Sequence, residues 1–75
     1  MYFVYEEVDY EGISSYSHHR TESGALRKLL ALVSEINDRW IWRGHLQWEI
    51  TQSVDKTTYT YDGGSIVMEK ITFNE

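Results

Sequence analysis

Residues 21–38 are the one stretch of this chain patterned for a helix, and every aromatic residue lies outside it, in two flanking stretches patterned for strands. A single apolar helix stripe between strand-forming halves has one economical way to bury itself, against a face of an antiparallel sheet built from both halves. Within the stretch, Leu26, Leu29, Leu30, Val33 and Ile36 recur at three- and four-residue spacing, opposite Arg27, Lys28, Ser34, Glu35 and Asp38, with Leu32 off the stripe. Thr21 has the side chain of an N-cap, and Glu22 places a negative charge in the first turn, where the helix dipole favours it. Gly24 costs about 1 kcal/mol relative to alanine inside a helix, which predicts a start one or two residues later.

Residues 2–10 alternate, with Tyr2, Val4, Val8 and Tyr10 on one side and Phe3, Tyr5, Glu7 and Asp9 on the other. Both faces begin apolar and one ends acidic, so this strand is expected to enter deep in the sheet and emerge into water. Glu11-Gly12 supplies a turn. Residues 13–20, rich in Ser14, Ser15, Ser17, His18 and His19, bury little and predict a weak strand at an exposed edge or a partly ordered loop. After the helix, Leu46, Trp48, Ile50 and Val54 alternate with Gln47, Glu49, Thr51 and Ser53, predicting a half-buried strand over 46–54. Turns at Asp55-Lys56 and Asp62-Gly63-Gly64 separate it from strands at 57–61 and 66–73. The expected architecture is α+β, in the order ββαβββ, with one amphipathic helix packed on an antiparallel sheet of four or five strands in a single domain, 1–75.

A chain of 75 residues buries only about 60% of its unfolded surface, which leaves room for one core. It has no cysteine, hence no disulfide framework or thiolate metal site, and this points to a reducing, cytoplasmic compartment. Oligomerisation is the remaining staple. The longest apolar run, residues 29–33, is far short of the roughly 18 that a membrane span needs. Twelve acids against seven bases give a net charge of −5, which opposes phosphate backbones and anionic lipid and favours a larger protein with a basic surface.

No residue pattern specifies catalysis. His18 and His19 are adjacent on a strand and point to opposite faces, and His45 stands in another segment, so no metal or other cofactor is expected. Ser14, Ser15 and Ser17 beside His18 lack a nucleophile elbow, and residues 62–65 have the glycines of a phosphate loop without its lysine or helix, so an enzyme is not expected. The candidate partner-binding residues fall in three places. Glu6, Glu7, Asp9 and Glu11 form a negative ridge on the amino-terminal hairpin. Trp40 and Trp42, beside Arg39 and Arg43, have the residue types of binding hot spots. Tyr59 and Tyr61 predict a polar-aromatic exposed side on their strand. Trp48 reads as core. Two other readings stay open: a homo-oligomer pairing through an exposed strand edge, and a single-strand nucleic-acid binder stacking bases on Trp40 and Trp42, which the net charge opposes.

The acidic hairpin with Glu6, Glu7, Asp9 and Glu11, the capped helix from Thr21 and the strand pattern over 46–54 together resemble small acidic bacteriophage early proteins that inhibit host machinery or host defence. The resemblance is one of size, charge and element order across most of the chain. It implies binding and blocking of one nucleic-acid-handling or defence protein, in the host cytoplasm if the chain is phage-encoded.

Overall fold

The computed structural model describes residues 1–40 and 46–71. Among them are five strands and one helix: β1 (Tyr2–Val8), β2 (Gly12–His19), α1 (Glu22–Arg39), β3 (Glu49–Gln52), β4 (Lys56–Tyr61) and β5 (Gly64–Lys70). The strands make one antiparallel sheet in the order β2-β1-β5-β4-β3, and α1 packs on one of its faces. This is the α+β arrangement that the alternation of patterns predicts.

Short connections account for most of the strand neighbours, and the exception is the central pairing of β1 with β5, which joins the two ends of the described chain. Val8 and Gly64 face one another at its end, and Gly64 is buried there. A Cβ on Gly64 would collide with the Glu7 carbonyl oxygen and lie 3.2 Å from the Val8 Cα, so only glycine allows the two backbones to approach this closely. The β1–β2 hairpin turns through Asp9, Tyr10 and Glu11, with the Glu11 amide donating to the Val8 carbonyl at 3.1 Å and Tyr10 at φ 69°. Gly12, at φ 85°, supplies the left-handed backbone that follows. β2 carries a bulge: Glu6 pairs with Ser15 but Glu7 pairs with Ile13, leaving Ser14 as the extra residue.

Alternation assigns the side chains to two faces. Toward the helix stand Tyr2, Val4 and Glu6 of β1, Ile66 and Met68 of β5, and Tyr59 and Tyr61 of β4. The helix buries Ala25, Leu29, Leu32 and Ile36 against Val4, Ile66 and Tyr61. This line corrects the expected stripe: Leu32 is in the core, while Leu26 and Leu30 are exposed. Leu26 and Leu30 sit roughly 100° or more around the helix from the Ala25–Ile36 line, and the small Ala25 lets the helix lie close to the sheet. Thr21 caps the helix as expected, its Oγ1 accepting from the Gly24 amide at 3.1 Å. Gly24 is accommodated inside the helix, which begins at Glu22. The predicted strand over 46–54 is shorter than its alternation suggests. Only Glu49–Gln52 pair, and all four are exposed, because β3 is the outermost strand and α1 does not reach over it. Leu46 and Trp48 precede the strand and pack against the core, where the Trp48 indole N–H donates to Asn37 Oδ1 at 3.0 Å.

Candidate functional site

The helix covers one face of the sheet and leaves the other open among the described residues. The register arranges that open face in three cross-sheet rows. The first runs Ile13, Glu7, Ser65, Thr60, Glu49; the second Tyr16, Tyr5, Val67, Thr58, Thr51; the third His18, Phe3, Glu69, Lys56. Along β1 and β2 the rows are joined by rings. Phe3 lies 5.4 Å from Tyr16 and 6.1 Å from His18, and Tyr5 stacks on Tyr16 at 6.2 Å with their planes 17° apart. These separations fall in the range where aromatic pairs attract beyond simple area burial. Val67, the cross-strand partner of Tyr5, is buried although no helix among the described residues covers it. Tyr16 and Ile13 remain 56% and 60% exposed, an apolar patch that water still reaches.

Electrostatics on this face favour cations. Glu7, Glu49 and Glu69 stand in its rows against a single lysine, Lys56, which pairs across the strands with Glu69. Burial raises the Tyr5 hydroxyl above its ordinary pKa of 10.0, and the charges of Glu69 and Glu7 and the neighbouring Tyr16 raise it further. A cationic group set over Tyr5 and Tyr16 would meet ring faces and carboxylates together.

The expected ridge divides among three places. Glu7 belongs to the open face, and Asp9 and Glu11 are exposed in the hairpin turn beside the fully exposed Tyr10. Glu6 does not join them. It is 2% exposed and faces the helix, with Oε2 3.5 Å from the Arg39 guanidinium and 3.5 Å from the Tyr61 hydroxyl. Strand alternation is the reason: position 6 shares the side of Val4, under the end of α1. Tyr61 is a second correction, being buried in the core rather than exposed. Its hydroxyl is pushed above 10.0 by burial and by Glu6, with Arg39 opposing. Tyr59 is half-buried on the same side and packs edge-on against Trp48 at 6.4 Å. Trp40 ends the helix half-buried against the core. Trp42 and Arg43 lie outside the described residues.

A cleft of about 480 Å³ opens beside the hairpin turn, where Asp9, Glu11 and Asp62 approach Arg39, Trp40 and Tyr61. Among the described residues its lining includes no histidine, and no group of three or more metal-ligating side chains is placed to hold an ion. No helix among them is long and apolar enough to cross a membrane.

The open-face residues Phe3, Tyr5, Tyr16 and His18 are the part of the site that sequence reasoning missed. The available signal was that β1 begins apolar on both sides while the sequence is patterned for a single helix to cover them. No family model, curated protein or solved structure matches this chain.

Proposed function

We propose that the chain is a non-enzymatic binding module that docks the aromatic half of its open sheet face, with the acidic hairpin turn beside it, onto a basic patch of a larger protein. The observation that carries this reading is the ring ladder of Phe3, Tyr5, Tyr16 and His18, uncovered among the described residues, in rows that also hold Glu7 and Glu69. Rigid rings supply contact area at small entropic cost, and the carboxylates steer a cationic partner and set the register of docking. Asp9 and Glu11 extend the negative field past the end of β1, and the net charge of −5 acts in the same direction at longer range. Occupying a basic patch on a nucleic-acid-handling or defence protein would block it, which is the inhibitory role that the resemblance to bacteriophage early proteins implies.

The test is capture of a partner from cell extract at low salt, followed by hydrogen-exchange footprinting of the complex. Protection should concentrate in β1 and β2, and Tyr16→Ala, at an exposed position, should weaken the complex roughly tenfold or more while leaving the circular dichroism spectrum unchanged. The Glu7→Gln/Glu69→Gln double variant should slow association and flatten its salt dependence. Protection confined to the helix surface, or a Tyr16→Ala complex as tight as the original, would remove the open face from the interaction.

A further inference from the structure

The two edges of the sheet differ in a way the open face does not explain. β3 closes one edge with four exposed residues, a length too short to invite another strand. β2 closes the other with eight residues, and from Gly12 to Ser17 it has no charge and no proline. Natural edges are usually blunted by lysine, proline or inward charge, and the only such device in β2 is the bulge at Ser14. No described strand pairs with its outer side.

The two ends of this edge have opposite charge. At the turn end stand Asp9 and Glu11, both exposed. Arg20 stands at the other end, exposed, directly after His18 and His19. A strand running antiparallel to β2 and carrying the same sequence therefore sets its acidic end against the basic end of β2, twice over.

We infer that β2 pairs with β2 of a second copy of this chain, antiparallel about a two-fold axis perpendicular to the sheet, with Glu11 of each copy facing Arg20 of the other. The pairing satisfies edge backbone groups on both copies and makes a ten-stranded sheet with both helices on one side. It is independent of the binding reading above and leaves the open face free, bringing the two ring ladders side by side across the axis. The contact is isologous, so every charge change acts at two symmetry-related places.

The experiment is sedimentation equilibrium of the full chain and three variants, Glu11→Arg, Arg20→Glu and the double exchange, at low and high salt. Both side chains are exposed, so the variants should keep the native circular dichroism. The unaltered chain should dimerise at concentrations on the order of 100 μM or below at low salt, and dissociate on adding salt. Each single variant should weaken the dimer roughly tenfold, because attraction becomes repulsion at both ends. The double exchange should restore it. Equal mixing of the two single variants should also restore it, since the copy bearing two arginines then faces the copy bearing two glutamates. A monomer at all concentrations, a dimer indifferent to the single changes, or failure of both the double exchange and the mixture to recover would overturn the assignment; a dimer that ignores these charges but is lost in Tyr16→Ala would place self-association on the open face instead.

Discussion

Glu6 and Tyr61 form the least expected pairing at the scale of single residues. A carboxylate 2% exposed needs compensation, and it has an arginine and a phenol hydroxyl each at 3.5 Å, both at the long end of useful contact. The pairing gives the fold a specific response to alkali. Burial and Glu6 raise the Tyr61 pKa, so the folded chain retains a proton that the unfolded chain releases near pH 10.0. Stability from this group is therefore complete below that pH and is lost as pH climbs through the higher folded value. Tyr5 shifts in the same direction and adds to the decline. Tyr61→Phe should cost about 0.5 kcal/mol at neutral pH, the low end for a hydrogen bond because the contact is long, and should make the alkaline decline shallower without abolishing it. Urea unfolding measured at neutral and strongly alkaline pH tests this, and an unchanged slope in the variant would place the titration elsewhere.

Among the elements, β1 and β5 depend on a single close approach. Alanine at position 64 would drive a methyl group into the Glu7 carbonyl, and relief requires the two central strands to separate at Val8. Gly64→Ala should therefore cost more than about 2 kcal/mol in chemical denaturation, an effect in the class of backbone strain rather than lost burial. A cost near zero would mean that the strands part freely there. The helix, by contrast, was legible in the sequence because its cap and its spacing agree: Thr21 begins it, and apolar residues recur through Ile36. Its apolar arc, however, is wide enough for two seams, and spacing alone favoured the one through Leu26 and Leu30 over the one through Leu32. The strands were legible as strands. Their faces were not, because alternation divides residues into two sets without saying which set meets the helix. Glu6 is the instructive case: its parity placed it beside Val4 from the outset, and its charge suggested the opposite. The Leu46–Val54 alternation misled for another reason, since position at the rim of a sheet is a property of strand order and leaves no mark on the strand itself.

At the scale of the molecule, the one helix and five strands among the described residues give an unequal distribution of protection. Among the described residues α1 packs on β1, β5 and β2 and does not cover β3, which pairs with β4 alone. Amide exchange should be slowest in β1, β5 and the buried side of α1, and fastest in β3, whose opening exposes almost no new apolar surface. Exchange in β3 as slow as in β5 would mean that the sheet opens as one unit. The bulge at Ser14 has a related meaning for how the chain can vary. Its extra residue sits in the outer strand, so β1 and β5 keep an unbroken two-residue rhythm, and Val4 and Ile66 stay on the helix side while Phe3 and Val67 stay on the open side. Insertions or deletions in β1 or β5 would exchange those sets and turn the sheet inside out, whereas the rim can absorb them; changes of length in this protein's lineage should accumulate at its periphery, where they alter what it meets and spare how it folds.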